Sequence, residues 1–255
     1  MSADAPTVHF DVADGVATIR IDNPAKRNCL DPPLWDRLYD AASGAAEDQS
    51  VRVVVVRGVG EHAFSAGMDF DALTVGPDHR ATFEAVEVHM NRATEALAGL
   101  EVPVIAGLRG VCMGGGVQIA MATDFRIAAD NLRFGIPAAG LGIMYPLVAI
   151  EKMTRIAGAD AVKRLLIEGA EYNADEALAA GFVEKIVSLV EFDDQVAETA
   201  RKIADQPPEI VNAYRQMIDN FACGDKSANP DIRDRALRSG VIDEKLAELK
   251  QRRRR

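Results

Sequence analysis

Residues 104–129 read VIAGLRGVCMGGGVQIAMATDFRIAA. Residues 101–110 form a mostly apolar run around Pro103 and read as a strand. Gly114, Gly115 and Gly116 then open a helix, and residues 125–129 read as another short strand. Consecutive glycines at a helix start leave backbone N–H groups unshielded by side chains. Those groups sit at the positive end of the helix dipole. Such a place stabilises a developing oxyanion. The same run also suits a tight strand-to-helix turn with close packing, and alone it supports both readings. Its spacing is not the G-x-G-x-x-G of a dinucleotide site.

Outward from this stretch, strands and helices alternate. Residues 16–21 alternate apolar and polar side chains after a turn at Asp14-Gly15, with residues 8–11 as hairpin partner. Residues 51–57, VRVVVVR, read as a buried strand ended by Gly58. Asp31-Pro32-Pro33 starts a helix with Leu34, Trp35, Leu38 and Ala41 on one face. Residues 80–100 read as helix. Further helices are expected at 147–156, 159–166, 174–180 and 191–204, with a last helical stretch from about 208, broken near 224–230. Alternation as far as about residue 190 argues an α/β class. The division expected is an α/β core over residues 1–195 and a helical region over residues 196–255. No internal repeat is visible in the sequence.

The 255 residues are 48% hydrophobic and 27% charged, an ordinary globular balance. Residues 1–7, MSADAPT, carry acid and no apolar run, so no leader is expected. No stretch has the roughly 20 apolar residues of a membrane span. Cys29, Cys112 and Cys223 have neither metal nor disulfide spacing. They read as reduced thiols, and the expected location is cytoplasmic. The net charge of −10, from 29 bases and 39 acids, argues against nucleic acid and anionic membranes as partners. The four arginines at 252–255 read as a solvated terminus, with a phosphate- or partner-binding tail as the alternative. Neither a metal nor a redox cofactor is expected.

A second motif is Phe64-Ser65-Ala66-Gly67-Met68-Asp69, whose small residues let backbone approach a ligand. FSAGMD and MGGGVQIAMATDFRIAA together resemble the crotonase (enoyl-CoA hydratase/isomerase) family. The similarity extends through IDNPAKRNCL, EVPVIAGLRG and ADEALAAGFVEKIV, in the family's order. It implies a spiral of ββα units, a C-terminal helical trimerisation region, and an acyl-CoA thioester as substrate. A homotrimer or a dimer of trimers is expected, with no cofactor beyond the coenzyme A of the substrate. By position, the oxyanion hole would be the N–H groups of Met68 and Gly115, with Ala66, Gly67 and Gly114 beside the substrate. Lys26 and Arg27, in the loop 24–28, would lie near the coenzyme A phosphates. An exposed polar turn is the alternative for those two side chains.

The sequence departs from the hydratase pattern at two positions. The two glutamates that family hydratases use as acid and base fall at Gln118 and Ala138. Neither residue has a titratable proton, and general acid–base catalysis contributes typically 10²–10⁴-fold. The segment LGIMYPLV at 141–148 instead resembles the loop of methylmalonyl-CoA decarboxylases, which carry a tyrosine at the Tyr145 position. A phenol can donate a hydrogen bond to a carboxylate at neutral pH. A buried core tyrosine is the alternative for Tyr145. Two departures from the decarboxylases are Gln118 and Met68, where they carry glutamate and histidine.

Three functions follow. The leading one is an acyl-CoA lyase that stabilises a thioester enolate, decarboxylation being one such reaction. The second is a hydratase or isomerase with a displaced acid or base among Asp69, Asp71, His79, Glu84, Glu87 and His89. The third is a non-catalytic acyl-CoA binding protein. Met90, Met113, Met121 and Met144 read as core or acyl-pocket lining.

Overall fold

The computed structural model describes residues 5–74 and 77–252. Its first hairpin joins β1 (Thr7–Ala13) to β2 (Val16–Asp22). Asp14 and Gly15 take φ values of 51° and 78°, as a two-residue turn twisted like its strands requires. β3 (Val53–Gly58) pairs in parallel with β2. Val54 and Val56 enter the main core, while Val53 and Val55 enter a second apolar layer. An unbroken valine run is what a strand covered on both faces needs.

The next strands are β4 (Ala63–Ser65), β5 (Val104–Leu108), β6 (Val111–Met113), β7 (Phe125–Ala129) and β8 (Arg133–Gly135). They are followed by β9 (Glu171–Asn173) and β10 (Lys185–Val187). They divide between two sheets, ordered β1-β2-β3-β5-β7-β10 and β4-β6-β8-β9. Each pair β3–β4, β5–β6 and β7–β8 therefore crosses from the larger sheet to the smaller. α2 (His79–Ala98) after β4 and α3 (Gly115–Met121) after β6 return the chain to the larger sheet, whereas α4 (Leu147–Lys163) after β8 leads to β9 of the smaller one. This is the spiral of ββα units that the family resemblance implied. The repeat is one of geometry and leaves no trace in residue identity.

α1 (Pro32–Glu47) precedes β3 and buries Leu34, Trp35, Leu38 and Ala41 on one face. The Asp31 carboxylate caps it, accepting the Leu34 N–H at 3.0 Å. α4 contains a break at Gly158, where φ is 81° and ψ is 161°, so the two helices expected there meet at a kink. The remaining helices are α5 (Ala174–Ala179), α6 (Phe192–Ala204), α7 (Pro208–Ala222), α8 (Asn229–Leu237) and α9 (Val241–Arg252). The expected boundary after residue 195 falls inside α6. Phe192, Val196, Ala200 and Ala204 of α6 cover Val53, Val55 and Ile105 of the larger sheet, so core packing runs to the end of that helix. The helical region beyond is tied back by Arg215 of α7. Its Nε donates to Asp124 at 2.9 Å, and its Nη1 donates to Leu100 O at 2.6 Å. A further break separates α8 from α9 at Gly240, where φ is 84°. The readings of residues 1–4 and of the arginine tail past 252 lie outside the described residues. Among the described residues no helix is long and apolar enough to cross a membrane.

Candidate active site

The segment 64–69 is anchored on both sides before it reaches a ligand. Ser65 Oγ donates to Asn28 O at 2.7 Å and accepts the Gly67 N–H at 3.0 Å. Leu30 N–H donates to Gly67 O at 2.8 Å, and Asp69 N–H donates to Leu30 O at 2.9 Å. Leu30 thus spends both backbone groups on the neighbours of Met68, in a parallel bridge. The N–H of Met68 itself faces the opposite edge.

On that edge lies the start of α3. Gly115 is its first residue, so its N–H has no acceptor within the helix. The two segments touch closely. Gly67 has φ +91°, and a Cβ on it would lie 2.5 Å from Gly115 N. A Cβ on Gly116 would lie 2.3 Å from Ser65 O. Only glycine lets both backbones approach this far. Behind Gly115 stands the fully buried Trp35 ring, carried by α1.

Met68 and Gly115 open on a cavity of about 70 Å³. Ala66, Gly114, Ala138 and Tyr145 also line it, as do Met90, Met113 and Met144. Its other walls include Phe70, Phe83, Ile136 and Ile143. Among the described residues, no ionisable acid or base lines it apart from the phenol of Tyr145. The Tyr145 hydroxyl is buried without a hydrogen-bond partner among the described residues. It lies 3.9 Å from where a Cβ on Gly114 would stand. Burial raises its pKa well above the ordinary phenol range, and Cys112 adds to the effect. The group is therefore a neutral donor at any ordinary pH. A buried polar atom left unpaired costs on the order of 1–3 kcal/mol, which a ligand acceptor would recover.

Ala138 brings a methyl group where the family's hydratases carry a carboxylate. Gln118 stands apart from the cavity lining. Its Nε2 donates to Asn91 Oδ1 at 3.0 Å and to Thr94 Oγ1 at 3.2 Å on α2. Its placement is that of a helix-to-helix tie, and its Oε1 has no partner among the described residues. Met121 lies with it beside a smaller cavity.

Lys26 and Arg27 are exposed. Lys26 Nζ donates to Asp69 at 2.7 Å and Asp71 at 2.6 Å, and those bonds raise its pKa, Asp69 first. It therefore braces the residue that follows Met68. Asp69 also accepts the Asp71 N–H at 3.1 Å, closing a local turn. Arg27 has φ 52°, and its carbonyl accepts the Ala66 N–H at 2.9 Å.

None of the displaced-acid candidates lines the cavity. His79 meets Leu73 O at 3.1 Å, Glu84 pairs with Arg80 at 2.8 Å, and His89 pairs with Asp36 at 2.7 Å. Glu87 differs from the rest. It lies one turn from both Phe83 and Met90, the two α2 residues that line the cavity. Burial, then Glu84, raises its pKa. Among the described residues, no three His, Cys, Asp or Glu side chains gather where they could hold a metal ion. Phe70 and Phe83 line the cavity and Trp35 backs Gly115, and nothing in the sequence distinguishes these aromatics from core residues.

The comparisons with known proteins show the family and the fold. The family model described as enoyl-CoA hydratase/isomerase matches residues 11–250. The chain belongs to that family. A short-chain-enoyl-CoA hydratase of Clostridium acetobutylicum is 33% identical over 205 residues, 80% of this chain and 77% of that one. A carnitinyl-CoA dehydratase of Proteus mirabilis is 31% identical, over 83% of this chain and 79% of its own. Among solved structures, an enoyl-CoA hydratase/carnithine racemase from Magnetospirillum magneticum superimposes with a TM-score of 0.88 at 29% identity. That match covers 96% of this chain and 92% of the other. A Bacillus anthracis enoyl-CoA hydratase gives 0.88 at 27% identity, covering 96% of each. The fold is thus the crotonase fold, and an acyl-CoA substrate fits the family.

Proposed function

We propose that this crotonase-family chain is an acyl-CoA lyase that decarboxylates a short malonyl-type thioester through an enolate. The carrying observation is the unequal polarity of the cavity. Met68 and Gly115 meet at its wall, one neutral phenol without a partner among the described residues stands in the lining, and the other side chains there are apolar. In this reading the backbone N–H groups of Met68 and Gly115 are the two donors. Such a site has little for moving a proton and much for receiving negative charge on one oxygen.

Decarboxylation asks for that. The bond from Cα to the carboxylate carbon breaks, and its electron pair enters the Cα–carbonyl bond. The thioester oxygen becomes the enolate oxygen, held by Met68 and Gly115 N–H. Carbon dioxide leaves, and Cα later takes a proton, for which water entering the vacated space suffices. The charge begins on a carboxylate among Phe83, Met90 and Ile143 and ends at the N–H pair. A cation beside the carboxylate would hold the charge where it must leave. A neutral Tyr145 hydroxyl can orient the carboxylate without fixing its charge, and apolar walls favour the loss.

Tyr145→Phe tests the assignment. Expected is a fall in malonyl-type turnover of about 10²-fold, with acyl-CoA affinity by calorimetry nearly unchanged. Full turnover in this variant would remove Tyr145 from the mechanism.

One observation favours a second reading, a hydratase or isomerase with a displaced carboxylate. Glu87 lies between two cavity-lining residues with its pKa raised, and the relatives bear hydratase and dehydratase names. Under that reading Glu87→Gln abolishes enoyl-CoA hydration; an unchanged rate rejects it. We also infer a cytoplasmic homo-oligomer with no cofactor beyond the substrate's coenzyme A. Support for assembly comes from exposed apolar side chains, among them Met144, Leu147, Ile218 and Phe221.

A further inference from the structure

α3 has only seven residues, too few for a helix to persist by its own hydrogen bonds. Its C-terminal turn is held from outside. Thr123 Oγ1 donates to Ala120 O at 2.7 Å, and Arg126 Nη1 donates to Thr123 O at 2.8 Å. The third bond comes from another helix: Lys152 Nζ donates to Ala122 O at 3.0 Å. Lys152 belongs to α4, whose N-cap is Pro146, next to Tyr145. One side chain therefore joins the helix that carries Gly115 to the helix that continues from Tyr145.

We propose that Lys152 is a positioning residue for the oxyanion donors, its ammonium holding the carbonyl end of α3 so that Gly115 N–H stays set against Met68 N–H and Tyr145. The inference rests on the enolate-stabilising reading above. A cation near a helix C-terminus interacts favourably with its carbonyls. Here it also opposes sliding of α3 against α4.

The tie depends on charge within a window that is easily reached. Burial lowers the Lys152 pKa to about 8, against support from Asp124 and Asp219 and alongside opposition from Arg155 and Arg126. A groove of about 470 Å³ between α4, α6, α7 and the start of β7 reaches Lys152 and gives it solvent protons. Above its pKa the amine is neutral and the tie weakens. Tyr145 and Cys112 are both pushed well above their ordinary values by burial, so neither titrates in the same window.

The test reads the donors directly. The probe is acetyl-CoA labelled with ¹³C at the thioester carbonyl, bound to the full chain. Its carbonyl stretch is recorded by difference infrared spectroscopy at about pH 7 and about pH 9.5, either side of the lysine pKa. Expected in the unaltered chain is a downshifted carbonyl at the lower pH, with about half the downshift lost at the higher. Lys152→Arg, which stays charged, should keep the full downshift at both pH values. Lys152→Met should show the reduced one at both. Equal downshifts in the unaltered chain at both pH values would overturn the proposal. So would a loss in Lys152→Arg matching that of the unaltered chain, a comparison that stands even if Lys152→Met fails to fold. A carbonyl at its free-solution frequency in the unaltered chain at both pH values would instead remove the oxyanion hole, and this inference with it.

Discussion

At Gly67 the chain has φ +91°, and the place a methyl group would take lies 2.5 Å from Gly115 N. Gly67→Ala therefore strains the turn and crowds Gly115 N–H, one of the two proposed oxyanion donors. Loss of one such donor costs about 10²–10³-fold in kcat. Steady-state turnover of this variant is expected to fall by that much, with its far-ultraviolet circular dichroism unchanged. A fully active Gly67→Ala protein would mean that these N–H groups are not the hole. Met68, Gly115 and Tyr145 could be singled out in the sequence because each lies in a contiguous motif, and the structure brings all three to one cavity. The hydrogen-bond partners of Gln118 and Lys26 were not legible. Gln118 bonds Asn91 and Thr94, 27 and 24 residues away. Lys26 is engaged by Asp69 and Asp71, 43 and 45 residues away. Such partners are set by how α2, α3 and the surrounding loops come together, and local spacing holds no record of them.

Among the elements, α1 matters beyond its length because it places Trp35 behind Gly115. Its Asp31 cap accepts a single backbone N–H. Asp31→Ala is expected to lower unfolding stability by about 1 kcal/mol in denaturant titration, and no loss would show that packing alone sets this helix start. α4 carries a pH signature through Lys152. Its pKa is about 8 folded against the ordinary 10.5, so between those values the folded state binds fewer protons than the unfolded one. Its contribution therefore makes stability rise with pH across that window, after standing at its least favourable below about 8. The denaturant midpoint of the unaltered chain, measured relative to that of Lys152→Met, should rise as pH rises from 8 towards 10.5; a constant difference would contradict it. The long elements were readable because β3 carries four valines covered on both faces and α1 repeats at helical spacing. The strands β4, β6, β8 and β9 of the second sheet have three residues each. Three residues are too few to show an alternation, so the second sheet was invisible until pairing partners met in space.

For the whole molecule, the core does not end where the alternation of strands and helices ends. α6 closes one face of the larger sheet with Phe192, Val196, Ala200 and Ala204. A chain cut after residue 195 is expected to lose cooperative unfolding, whereas one cut after 206 keeps it. Equal cooperativity in both would show that the helical region starts earlier. Full-length protein examined by light scattering should have the mass of an oligomer, given the exposed apolar side chains on α4 and α7, and a monomer would leave those faces unexplained. The central claim concerns which bond the site breaks, and the proposal is that the Met68 and Gly115 N–H groups, beside a phenol in an apolar cavity, serve the loss of a carboxylate. The most direct measurement is mass-spectrometric turnover of a mixed acyl-CoA panel holding crotonyl-, longer enoyl-, malonyl- and methylmalonyl-CoA. Loss of carbon dioxide from a malonyl-type thioester, with the enoyl thioesters unchanged, is the predicted result. Gain of one water by an enoyl thioester, with the malonyl types untouched, would contradict it and move the chemistry to a carboxylate such as Glu87.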